Sequence, residues 1–170
     1  RVFLKPERVT GNLRNDTSRK FRATLVHYSN SLDLAILKFQ DPKFSNSLPL
    51  LELSDLSGTS IGDPVLAIGH PEQGGLWTLT TGTISSLIEN FDGTRGKDVF
   101  QTETSINKGN SGGPLIDQYG HMVGINSMIA RKGKGGLTIT DVNFSIKSTV
   151  AMKWMHSVGY SQHYAMHQEQ

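Results

Sequence analysis

Residues 99 to 125 read as a strand, a glycine-bounded serine and two more strands, an order that leaves few folds open. Val99, Gln101 and Glu103 alternate with Phe100, Thr102 and Thr104. Asn107-Lys108-Gly109-Asn110-Ser111-Gly112-Gly113-Pro114-Leu115 follows. Leu115-Ile116-Asp117 and Met122-Val123-Gly124-Ile125 then read as short strands around a Gln118-Tyr119-Gly120 turn. A serine on a tight, glycine-permitted loop at a strand end exposes its hydroxyl. The same loop turns neighbouring N–H groups toward one point, as acyl transfer requires. The plainer alternative is a turn without chemistry, because glycine, serine and asparagine are what turns are made of. A Gly-x-Ser-x-Gly elbow of the α/β-hydrolase kind must pass from strand through serine into helix. Here Pro114 and a strand-like run follow, so that architecture fails.

Size and composition fit this reading. A chain of 170 residues is long enough for one domain or for two small lobes sharing an interface. With 36% hydrophobic residues, 18 Gly and 6 Pro, it suits a turn-rich globular β protein rather than a disordered one. The net charge is only +2 and like charges form no long run, so nothing points to nucleic acid. Arg131-Lys132-Gly133-Lys134-Gly135-Gly136 lacks the ending of a phosphate loop and reads as a solvated surface loop. Cysteine is absent, which excludes a disulfide framework and thiolate metal sites. No apolar run approaches the length of a membrane span.

Strand-like alternation also marks Arg1 to Leu4, Lys20 to Tyr28 and Leu34 to Leu37, with Asn12 to Arg19 polar and turn-like between them. Asp33 stands among apolar residues, so its carboxylate must face water or hold a firm hydrogen-bond partner. Asp41 to Ser60 is rich in Pro, Ser, Asn and Asp and reads as a linker between two lobes. Phe91-Asp92-Gly93-Thr94 is a hairpin turn signal. Ser148 can cap a helix with Ala151, Trp154, Met155 and Val158 on one face, ending at Gly159. The tail from Tyr160 is polar and expected to fray.

The serine segment, with its Gly-Asn-Ser-Gly-Gly-Pro core, resembles the nucleophile loop of chymotrypsin-fold serine proteases. The longer run Gln101 to Leu115 is most similar to the HtrA/Deg branch. Asp33-Leu34-Ala35-Ile36-Leu37-Lys38 resembles that branch's acid-bearing segment. Ile61-Gly62-Asp63-Pro64-Val65-Leu66-Ala67-Ile68-Gly69-His70-Pro71 and Thr80-Thr81-Gly82-Thr83-Ile84-Ser85 resemble two of its strands, with a loop between them that shapes the cleft in relatives. The resemblance implies an all-β fold: two antiparallel six-stranded barrels, the first incomplete, and a C-terminal helix. Residues 1–57 are then a partial first barrel and linker, 58–150 the second barrel with the nucleophile, and 151–170 the helix and tail. It implies Ser111 as nucleophile, Asp33 as triad acid, and Gly109, Asn110 and Ser111 as the oxyanion loop. Ile106, Ile125, Asn126 and Phe144 are expected to form the substrate pocket and to favour small or medium aliphatic side chains. Asn143 and Lys147 stand where the family usually has glycine and proline, which touches the pocket's depth rather than the fold. No cofactor and no metal are expected. Implied partners are polypeptide substrates and, as in trimeric relatives, further copies of the chain. An extracytoplasmic or organellar location is implied by the resemblance alone.

A serine hydroxyl is a poor nucleophile without an adjacent base. His27, His70, His121, His156, His163 and His167 all lie away from the family's histidine position, which precedes the acid and falls upstream of Arg1. Two readings stay open. Either a histidine-bearing segment precedes this sequence in a working serine endopeptidase, or the chain is a pseudoprotease that binds peptide without turnover.

Overall fold

The computed structural model describes residues 1–41, 48–70, 75–106, 109–127, 131–132, 138–139, 143–161 and 164–167. Its core is the expected all-β barrel. Strands β6 (Pro64–Gly69), β7 (Thr78–Ile88), β8 (Val99–Thr102), β9 (Pro114–Asp117), β10 (Met122–Ser127) and β13 (Asn143–Lys147) run in the order β13-β8-β7-β6-β9-β10. Antiparallel pairing of β10 with β13, Ile125 opposite Ile146, closes the ring. Closure removes the open edges that an antiparallel sheet otherwise presents. The long strand β7 makes a barrel corner: its first half pairs with β6, its second half with β8, and the register shifts between Ile84 and Ser86.

Strand alternation sends Val65 and Ala67 of β6, Ile84, Phe100, Leu115 and Val123 into the barrel interior, all nearly devoid of solvent contact. A second cluster lies outside the ring. It joins Phe91, Val99, Phe144 and Ile146 to Val150 and Ala151 of α2 (Ser148–Ser157) and to Leu34 of the first lobe. Ser148 does not cap this helix. It is buried as the first helical residue, and its hydroxyl donates to the Ser54 carbonyl at 2.7 Å. Gly159, at φ +84°, lies just past the helix end.

The first lobe is far less complete. It consists of the ribbon β1–β2 (Val2–Phe3 with Lys20–Phe21) and the hairpin β3–β4 (Ala23–Ser29 with Leu34–Phe39). Residues 13–16, expected as turn, form a single helical turn, α1 (Leu13–Asp16). The Asn12 side chain accepts from the Arg14 and Asn15 amides there. Asp16 is buried and accepts from the Thr10 amide and hydroxyl and from the Gly11 amide. Burial raises its carboxyl pKa, but these hydrogen bonds outweigh that effect and hold it below 3.8.

The stretch read as a linker contains a strand. β5 (Leu53–Ser54) is buried and pairs in parallel with β10 at Met122. The tail does not simply fray either: β14 (Met166–His167) adds in parallel to β5. Such two-residue strands are dictated by the sheet edge that receives them, not by local propensity. A small ribbon, β11–β12 (Arg131–Lys132 with Thr138–Ile139), completes the described strands; the remainder of the basic patch, residues 133–136, lies outside the described residues. No described helix is long and apolar enough to cross a membrane.

Candidate active site

Asp33 is positioned by its neighbours in sequence. Leu34 is buried in the outer apolar cluster and Leu32 packs against it, so the β3–β4 turn is pinned to the barrel on both sides of the acid. Asp33 itself takes φ +58°, a left-handed conformation that aspartate tolerates better than bulkier residues. This turn leaves the residue exposed but aims its carboxylate at the barrel, where the Ser127 hydroxyl donates to it at 2.5 Å. Ser127, at the end of β10, was not singled out by the sequence: nothing local distinguishes a strand-terminal serine.

Ser111 is held from the other side. The loop from Gly109 to Gly113 rests on the end of β6, where two glycines permit close approach. A Cβ on Gly69 would lie 2.2 Å from Asn110 Oδ1, and one on Gly113 would lie 2.4 Å from the Ile68 carbonyl. The His70 amide donates to the Gly109 carbonyl at 2.8 Å, and the Gly113 amide to the Asn110 carbonyl at 3.0 Å. The strand β10 grips the same loop, the Gly112 amide donating to the Asn126 carbonyl and the Asn126 amide to the Gly113 carbonyl. Asn110 is fully buried; its Nδ2 donates to the Ser105 carbonyl, and its Oδ1 has no partner among the described residues. Ser111 stays exposed at the crest.

Asp33 and Ser111 line one open groove of about 790 Å³ between the hairpin and the barrel. Ile125 and Asn126 line it as well, with Tyr28, Leu37, Leu51 and Met122 extending its apolar wall. Ile106 and Phe144 do not. Phe144 is fully buried against Phe91, ring centroids 4.6 Å apart, because its face of β13 points into the outer cluster. Ile106 is buried as well, at 4% exposure. The Asn126 side chain is committed to the barrel, Nδ2 donating to the Pro114 carbonyl and Oδ1 accepting from Ser145. Asn107 and Lys108 lie outside the described residues, as do residues 71–74 of the loop before β7. A smaller cavity of about 280 Å³, between Asp63 and His121, contains neither Asp33 nor Ser111.

No described histidine lines the groove. His27 lies edge-on to Tyr160, His70 accepts from the Trp77 amide, and His121 stands 3.6 Å from Asp117. His156 belongs to α2, and His163 and the side chain of His167 fall outside the described residues. Among the described residues no group of His, Asp and Glu is arranged to hold a metal ion.

Comparison with known proteins now decides the family. The profile of the trypsin-like peptidase domain matches residues 3–125. The chain belongs to the trypsin-like peptidase family. Its relatives are of the HtrA type. The chain is 37% identical over 138 residues to the serine endoprotease DegS of Escherichia coli (strain K12), covering 81% of this chain and 38% of that protein. It is 33% identical over 138 residues to the periplasmic serine endoprotease DegP of the same strain, covering 78% of this chain and 27% of that protein. A solved structure of the HtrA-type protease AlgW with a decapeptide superposes with a TM-score of 0.67 at 36% identity, covering 83% of this chain and 42% of that one. The chain therefore spans well under half the length of the curated relatives it matches. The matched residues include the hairpin β3–β4, the serine loop and the barrel strands from β6 to most of β10.

Proposed function

We propose that this chain carries the nucleophile and the acid of a serine endopeptidase acting on polypeptides. Ser111 attacks the scissile carbonyl, a histidine takes its proton, and Asp33 orients that histidine and stabilises its cation. The amides of Gly109 and Ser111 hold the developing oxyanion, with Asn110 keeping the loop's shape. The observation that carries the reading is that Asp33 and Ser111, far apart in sequence, line the same groove, each fixed by its own hydrogen-bond frame. On this reading, which rests on the likeness to the HtrA/Deg branch, the substrates are unfolded or damaged proteins and the chain assembles with further copies of itself. The aliphatic wall of the groove, Ile125 with Leu37 and Met122, favours aliphatic side chains in the peptide.

The second reading is a peptide-binding pseudoprotease, favoured by the one observation that no described histidine lines the groove. Fluorophosphonate labelling of the full-length protein separates the two. An enzyme labels at Ser111 and stops labelling in Ser111→Ala and when the base is replaced. Loss of serine or histidine from such a unit lowers kcat by about 10⁶. A protein that binds a peptide library but leaves the fluorophosphonate untouched is the binder, and the endopeptidase reading is then abandoned.

A further inference from the structure

The ladder between β6 and β7 ends at Gly69 opposite Thr78. One residue further, His70 and Trp77 fall on a non-hydrogen-bonded position of the ladder, because the Ile84 amide donating to the Asp63 carbonyl sets the bonded pairs at the odd-numbered residues of β6. The backbone N–H of His70 therefore faces away from β7 and donates to the Gly109 carbonyl at 2.8 Å, on the serine loop. The His70 side chain adds a bond to β7 where the ladder has none: Nδ1 accepts from the Trp77 amide at 2.9 Å, and the imidazole meets the indole edge-on at 4.9 Å. Trp77 adopts φ +54°, a left-handed conformation that a bulky residue holds only where its surroundings impose it. Among the described residues, the imidazole acceptor and the Thr78 hydroxyl, which donates to the Gly75 carbonyl at 2.6 Å, hold this turn.

We infer that His70 is a positioning residue: its imidazole, as a neutral acceptor, holds the end of β6 so that the His70 amide fixes the Gly109–Asn110 peptide beside Ser111. The direction of coupling follows from the chain. Ile68, Gly69 and His70 meet Gly113, Asn110 and Gly109 in turn, so the end of β6 is the bed on which the serine loop lies. Fixing the Gly109 carbonyl fixes that peptide plane, and with it the direction of the amides on either side. The bond is solvent-exposed and water can pair with the Trp77 N–H, so what Nδ1 supplies is an acceptor fixed to the end of β6, which packing against Trp77 alone does not provide. The catalytic consequence rests on the serine-peptidase reading, whereas the tie itself does not.

The test compares His70→Leu, which keeps bulk without an acceptor, with His70→Asn, whose Oδ1 stands close to the position of Nδ1. Protection of the residue-70 amide is read by hydrogen exchange, and acylation of Ser111 by the rate of fluorophosphonate labelling, both in the full-length protein. His70→Leu should lower protection and acylation each by about tenfold, the scale of one net hydrogen bond. His70→Asn should keep both within about threefold of the unchanged protein, less than one net hydrogen bond. Full protection in His70→Leu overturns the proposal. So does equal loss in both variants, which would assign the effect to ring packing. If the unchanged protein does not acylate, the peptidase reading fails, and amide protection alone still decides the role of His70.

Discussion

The two halves of the groove are built differently. The Ser111 side belongs to a closed six-stranded ring whose interior residues, Ala67, Ile84, Leu115 and Val123, are at 0% exposure. The Asp33 side belongs to a two-stranded hairpin on which Leu25, Tyr28 and Leu37 are exposed at 51%, 64% and 57%. A two-stranded hairpin is marginal in water by itself. It is anchored here by Leu34 and Leu32 on the outer cluster and by the Ser127 hydroxyl on Asp33. Geometry on the Ser111 side is thus set by packing, whereas on the Asp33 side a few contacts set it. Damage to the barrel should therefore unfold the protein, and damage to the hairpin should disarm the site while leaving the barrel standing.

The sharpest contrast is in stability. Phe100→Ala opens a cavity at a residue that is 1% exposed, and should cost about 3–5 kcal/mol in denaturant unfolding. Leu37→Ala, on the exposed hairpin face, should stay within about 0.5 kcal/mol. Equal losses would show that the hairpin is as tightly built as the barrel and would end the comparison.

Removing the Ser127 donor tests the reverse claim. Ser127→Ala should slow Ser111 labelling by about tenfold, as one hydrogen bond allows, because Asp33 loses the partner that aims it. The unfolding midpoint should move little, since Asp33 is exposed and water can replace the hydroxyl. A large drop in stability with unchanged labelling would place Ser127 in the barrel's packing rather than in the site.

The smallest effect is expected at the outer end of the first lobe. Asp16 has its carboxyl pKa held below 3.8, so its contribution is complete above the unfolded value and is lost as pH falls through the folded one. Protection of the Thr10 and Gly11 amides, taken relative to the intrinsic exchange rate at each pH, should fall only in acid, below about pH 4 for an ordinary aspartate, while barrel amides stay protected. Asp16→Asn should show the lower protection already at neutral pH. Loss of barrel protection in step with Thr10 would mean that the two halves open as one unit.

Much of the barrel was legible in the sequence because its signals are local. Alternation around Val65, Ile84, Phe100 and Val123 follows the two-residue period of a half-buried strand. The glycines around Ser111 announce a tight loop through the conformations only they permit. Acidic Asp33 between leucines was visible as a residue in need of a partner. Other features were not local. β5 and β14 are too short to carry a period and exist only because a sheet edge accepts them. Phe144 reads as a wall of the groove in sequence and lies in the core in space, because strand parity alone does not tell which of two apolar clusters a face will meet.

By itself, then, the sequence determined an all-β chain and a tight serine loop, since each rests on backbone preferences within a few residues. Only the tertiary structure decided that Ser127 holds Asp33 across 94 residues, that Asn110 is seated on Gly69, and that His70 joins β7 to the serine loop. Those contacts depend on how a twisted sheet closes and which of its ends meet, and closure is a property of all six strands together.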